Sequence, residues 1–186
     1  IMPGFILSRQ VNAAIKHHDP SQYTGIILMH HGVFTYSDSA KVAYENMIEL
    51  VSRAEDYIAS RGAATLASAQ YKIDLLDLAR IRKAVSAARG SAQLAMLDQT
   101  PDAQGYASLD NVSDIATRGP ITPDHVIRTK RVPVIISAKP ADGVPEIDQY
   151  IKDYKTYFET NGNPQLQILD PAPRVGIWRN AGSLAF

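Results

Sequence analysis

The chain has no cysteine among its 186 residues. Disulfides, thiolate nucleophiles and cysteine metal sites are therefore excluded, and the absence fits a reducing cytoplasm, the expected location. No charge of one sign predominates: 19 Lys and Arg stand against 19 Asp and Glu. This balance gives no reason to expect nucleic acid or an anionic membrane as a partner. It also leaves little repulsion to hold copies apart, so a homo-oligomer is expected. No apolar run approaches the ~20 residues that span a bilayer. The opening "IMPGFILSRQ" lacks the basic and apolar regions of a signal peptide. Glycine-rich phosphate loops of the G-x-G-x-x-G or Walker A type are missing, as is any fixed-period repeat.

What is present is an alternation of helix and strand patterns. At 45% hydrophobic residues, the chain has enough apolar material for a sizeable core. Residues 3–18 carry a loose helical stripe, with Pro3 at or before the first turn. Asp19 and Pro20 begin a turn, and "GIILM" (25–29) reads as a short buried strand. Residues 37–62 are the clearest helix, with Ser37 or Asp38 as cap and Gly62 as terminator. A second helix covers 72–90. Beyond Gly90 a strand is predicted at 91–98, a turn at 100–105, a short strand at "YASLD" and a short helix at 111–119. A strand within 128–138, a helix over 144–162 starting at Pro145, and a strand within 165–180 broken by Pro171 and Pro173 complete the pattern. The expected class is α/β, with a three-layer α/β/α tendency and a division near Gly90. The aromatic residues of the helical stripes, among them Tyr44, Tyr57, Tyr150 and Tyr154, are expected in the core. Trp178 is read as packing against a further domain.

Two stretches carry candidate chemistry. In "LMHHGVFT" an apolar run stops at His30 and His31, and Gly32 follows. A histidine at a strand end beside glycine aims an imidazole toward space that a ligand can enter, although a lone histidine there is more often structural. In "RGPITPDHVIRTKR" (118–131), Arg118, Thr122, His125, Arg128 and Lys130 suit a phosphate or carboxylate. The same stretch reads equally as a helix start, with Thr122 as cap and Pro123 in the first turn.

The segment "LMHHGVFTYSDSAKVAYENMIELVSRAEDYI" resembles the H-G-[VLM]-F segment of the class II aldolase/adducin family. The stretches "RIRKAVSAARG", "ATRGPITPDHVIRTKRVPV" and "LDPAPRVGIW" are similar to the aldolase half of bifunctional aldolase/short-chain dehydrogenase proteins. The resemblance implies residues 1–90 as the C-terminal part of an aldolase domain, and 91–186 as an α/β segment leading toward a dehydrogenase domain. It also implies a zinc-dependent aldolase acting on a phosphorylated sugar, with His31 as one of three zinc ligands and NAD(P) used only by the dehydrogenase. The other two family ligands form an H-x-H motif, and none of the five histidines here is so spaced. With Ile1 rather than Met at its head, the sequence is read as a piece of a longer protein, inactive by itself, that exposes an apolar face. The alternatives are an adducin-like interaction module without metal and a small anion-binding domain centred on 118–131.

Overall fold

The structure is a computed structural model that describes residues 4–62, 66 and 71–186, with only the backbone of Pro123 and Asp124. The expected position of Pro3 lies outside the described residues. The chain divides into two compact units: unit 1 comprises Ile1–Thr65 and Pro120–His125, and unit 2 comprises Leu66–Gly119 and Val126–Phe186. Gly90, where the sequence changes texture, closes a helix inside unit 2.

Unit 1 opens with α1 (Phe5–Ile15), followed by a single helical turn at Pro20–Gln22 in which the Asp19 carboxylate accepts from the Ser21 amide at 3.0 Å. The run after it is half of an antiparallel hairpin, β1 (Gly25–Leu28) with β2 (Gly32–Thr35), in the register Gly25↔Thr35 to Leu28↔Gly32. Gly25 is required here, because a Cβ would lie 2.6 Å from the Phe34 carbonyl oxygen. The hairpin leads into α2 (Ala40–Ser60), tied to β2 by the Thr35 hydroxyl, which donates to the Ala43 carbonyl at 2.7 Å.

Three expectations fail in unit 1. The cap of α2 is Ser39, and Ser37 Oγ instead accepts from the Ser39 amide at 3.2 Å. The strand at 25–29 is not buried: Ile27 and Met29 face outward. Tyr44 and Tyr57 are exposed too, and no described residue of unit 1 is buried. The apolar stripe of α2 is genuine, but among the described residues of unit 1 only its edge at Ala43, Met47 and Leu50 is half-buried, toward the hairpin, and Tyr44, Ile48, Val51, Tyr57 and Ile58 are exposed.

Unit 2 has a closed core. Helix α3 (Leu75–Arg89) is capped by Asp74, whose side chain accepts from the Leu76 amide at 2.8 Å, and ends at Gly90 with φ 77°. Then follow β3 (Met96–Asp98), α4 (Pro101–Ala107), α5 (Val112–Ala116), α6 (Pro123–Thr129, which crosses the unit boundary) and β4 (Val134–Ile136). The unit ends with α7 (Pro145–Asn161), β5 (Val175–Trp178) and β6 (Gly182–Ala185). Its sheet has the order β3-β6-β5-β4, with β4 parallel to β5 and the other pairs antiparallel. Ile81 and Val85 of α3, Ile147 and Tyr150 of α7, and Val134, Ile136, Trp178 and Leu184 of the sheet form the main core.

The α/β class is as expected. The turn predicted at 100–105 is helix α4, because Thr100 caps it and Pro101 stands at its first position, where a missing N–H is harmless. "YASLD" is the last two residues of that helix and the turn after it, not a strand. The final strand shortens to 175–178, and β6 joins the sheet beyond it. Trp178 is fully buried inside unit 2, with its indole N–H donating to the Ala138 carbonyl at 3.3 Å.

Candidate functional site

His31 lies in the three-residue turn of the unit 1 hairpin, between the end of β1 and Gly32 at the start of β2. Its amide donates to the Leu28 carbonyl at 3.0 Å. His30, in the middle of the turn, has φ 64°, a left-handed conformation that His tolerates better than a branched residue would. Gly32 follows at φ 143°. The turn holds the His31 ring half-buried and leaves His30 exposed. Among the described residues, no group of three or more His, Asp or Glu side chains is placed to hold a metal ion. Zinc takes three or four protein ligands, so the described residues do not by themselves fit it.

The five candidate anion-binding residues are divided between the units: Thr122 and His125 belong to unit 1, and Arg118, Arg128 and Lys130 to unit 2. Thr122 Oγ1 and His125 Nδ1 are 2.7 Å apart. Arg128 lies in the last turn of α6, and Arg118 is exposed just before Gly119. Lys130 is buried, with φ 63°. Its ammonium donates to the carbonyls of Asp170 and Ala172, the latter at 2.7 Å, and sits 4.0 Å from the centre of the Tyr154 ring.

Lys130 therefore belongs to a charged cluster that the sequence reading did not assemble. Asp170 accepts from Arg89 at the end of α3 and from both terminal nitrogens of Arg174. These hydrogen bonds, that of Arg174 first, hold the Asp170 carboxyl well below the usual carboxylate range. Arg174 is raised in turn by Asp170. Burial, then the neighbouring Arg174, lowers the Lys130 ammonium to about 8, while Asp170 opposes the shift. Burial also raises the Tyr150 hydroxyl to about 12. Arg89, Lys130, and the pair Asp170 and Arg174 come from three separate stretches of the sequence that carry the family resemblance. The one local signal was the spacing of Asp170 and Arg174 across "DPAPR". The cluster joins the end of α3, the residues after α6 and the loop before β5. Lys130 is enclosed by carbonyls and an aromatic ring, so the arrangement is suited to clamping backbone rather than to nucleophilic attack.

Tyr150 and Tyr154 also line a cavity of about 310 Å³ between α7 and the residues leading into β4. Tyr157, Arg131, Glu146 and Asp153 also line it. The Arg131 guanidinium stacks 5.5 Å from the centre of the Tyr157 ring. One Glu146 oxygen accepts from the Ser137 amide and hydroxyl, and the other is buried without a hydrogen-bond partner among the described residues.

Residues 73–186, well over half of the chain, match the family described as "Aldolase class II, second domain". An uncharacterized oxidoreductase of Bacillus subtilis (strain 168), YuxG, is 24% identical over 193 residues, an alignment that takes in 94% of this chain and 28% of the relative. The chain thus spans well under half the length of that relative. No solved structure matches. The chain belongs to the class II aldolase family, and the matched part, which coincides closely with unit 2, is of the second-domain type.

Proposed function

We propose that this chain serves within a metal-dependent class II aldolase acting on a sugar phosphate, with unit 1 contributing His31 to the metal centre and unit 2 acting as the domain that supports it. The observation that carries the reading is the "HHGVF" stretch in a chain whose last 114 residues match the class II aldolase second domain. Zinc would supply Lewis-acid polarisation of the substrate oxygens. The described residues supply one matching imidazole, so cleavage is assigned to the intact polypeptide and not to these residues alone. The name oxidoreductase on the Bacillus relative supports a fused dehydrogenase using NAD(P), to which no residue here is assigned. A cytoplasmic, oligomeric protein fits this reading.

Calorimetric titration of the chain with zinc should show no tight stoichiometric site. Sub-micromolar binding that disappears in His31→Ala would overturn the division of ligands proposed here. The exposed stripe of α2 favours a second reading, an adducin-like interaction module without metal. The two readings part on whether the complete open reading frame encodes an H-x-H ahead of His31. An anion site at 118–131 is tested by thermal shift with inorganic phosphate; no shift, or a shift unchanged in Arg128→Ala, would remove it.

A further inference from the structure

The proposed function leaves the cavity beside α7 unused. All its lining residues belong to unit 2, so it involves neither His31 nor a metal centre. At about 310 Å³ it has the size of a small-molecule site. One face of α7 forms a wall: Glu146, Gln149, Tyr150, Asp153, Tyr154 and Tyr157 follow one another at helical neighbour spacings. The extended residues 131–135 supply much of the remainder.

The lining is aromatic and acidic. It carries Glu146 and Asp153 against Arg131 alone, one negative charge in excess. Arg131 neutralises neither acid. Its guanidinium lies over Tyr157, ~16 Å along α7 from Glu146 at ~1.5 Å per residue. Among the described residues no ion pair joins it to either carboxylate. Burial opposes the charge on Glu146, yet hydrogen bonds from Ser137 and the backbone hold its carboxyl below the ordinary value, so it is ionised at neutral pH. The turn that sets it there is strained, since the buried, β-branched Val144 is left-handed at φ 51°. Asp153 Oδ1 accepts from the Gln149 amide at 2.8 Å, and its other oxygen has no hydrogen bond among the described residues. The tyrosines already gather cations: the Lys130 ammonium is 4.0 Å from the centre of the Tyr154 ring, and the Arg131 guanidinium is 5.5 Å from that of Tyr157.

We propose that this cavity binds a small planar organic cation, an amidinium or an aromatic ammonium, whose charged end meets Asp153 within the field of Glu146 and whose apolar body lies against the tyrosine rings. A metal ion does not fit. Glu146 and Asp153 stand two helical turns apart, ~10 Å at ~1.5 Å per residue, and no group of three acidic or histidine side chains converges among the described residues. An anion meets two carboxylates and a single guanidinium that is already stacked. A neutral ring fills the same space without compensating the excess charge.

The test is isothermal titration of the chain with benzamidine, its neutral analogue benzamide and its anionic analogue benzoate, at neutral pH and low ionic strength. Benzamidine should bind with a dissociation constant below about 1 mM, and benzamide and benzoate at least tenfold more weakly. Amide chemical shifts should move at residues 131–135 and 146–157. Asp153→Asn, at an exposed position, should weaken benzamidine at least threefold, a loss suited to one exposed charge. Asp148→Asn, which removes an acid of α7 that lines a different cavity, should leave the affinity unchanged. No saturable binding, equal affinity for benzamide or benzoate, shift changes confined to other residues, or an affinity unchanged in Asp153→Asn would each overturn the proposal. None of these results bears on a metal at His31, so the aldolase reading stands or falls separately.

Discussion

One turn design serves two hairpins in this chain, and only one of them is buried. β5–β6 lies at the centre of a four-stranded sheet, with α4 packed on β6, whereas β1–β2 forms a two-stranded sheet among the described residues, with α2 packed on β2. The strand lengths, the registers and the positions of the left-handed residues are the same. The comparison shows that local sequence suffices to shape a hairpin, while its burial depends on flanking strands drawn from elsewhere. Electrostatics follow the same division. Unit 2 closes around the partly buried Asp170, Arg89 and Arg174 cluster, whereas unit 1 has the exposed Lys41–Glu45 pair at 3.6 Å.

The largest test of that contrast is truncation at the equivalent positions Leu28 and Trp178. Trp178→Ala should lower stability by ~3–5 kcal/mol in urea denaturation, because it empties a fully buried site. Leu28→Ala, at a half-buried site, should lower it by less than ~1 kcal/mol. Equal losses would break the comparison.

Next in size is the glycine after each turn. A Cβ on Gly182 would stand 2.0 Å from the Asp98 carbonyl oxygen, so Gly182→Ala adds a backbone clash to its strain, and a loss of more than ~2 kcal/mol is expected. A Cβ on Gly32 meets nothing within 4 Å, so Gly32→Ala should show the positive-φ strain alone, of about 1 kcal/mol.

Asp170→Asn tests the cluster. It leaves Arg89 and Arg174 without their carboxylate, and a loss of ~2 kcal/mol at neutral pH is expected. Since the folded carboxyl is depressed, its contribution is present above the ordinary carboxylate range and lost as the pH falls below ~4. The variant should therefore lose less stability than the parent between neutral pH and pH 3.

The smallest effect is alkaline. The Lys130 ammonium is lowered from 10.5 to about 8 on folding, so between those values the unfolded chain binds more protons than the folded one. Stability should rise with pH across that window by at most ~1.4 kcal/mol per unit. Tyr150, raised from 10.0 to about 12, acts only above its unfolded value, where the folded chain binds the extra proton and stability falls as the pH rises. A pH 8–10 series in which Lys130→Met has the same slope as the parent would contradict the assignment.

Much of the fold was legible because its signals are local. Gly90 marks the end of α3, Pro145 marks the start of α7, and Pro171 and Pro173 keep the loop before β5 out of the sheet. Helix α4 differs from the turn expected at 100–105, because Thr100 and Pro101 form a helix start. β2 and β6 escaped because four residues beginning with glycine become a strand only by pairing with the strand before them. At the candidate site, "HHG" marked His31, but nothing local marked Arg89, Lys130 and Asp170 as neighbours, since Arg89 and Asp170 are 81 positions apart.

By itself, then, the sequence determined the α/β class, the family resemblance, the end of α3 at Gly90, the start of α7 at Pro145 and the presence of His31 beside Gly32. Capping, backbone freedom and periodicity act over a few residues and can be read in order along a chain. Tertiary structure alone decided which apolar stripes are buried, that Lys130 is enclosed while Arg128 is exposed, and that two unlike stretches, "GIILMHHGVFT" and "VGIWRNAGSLA", form the same hairpin. Burial and charge clustering depend on surfaces brought together from distant positions, and no short window of sequence contains both sides of such a contact.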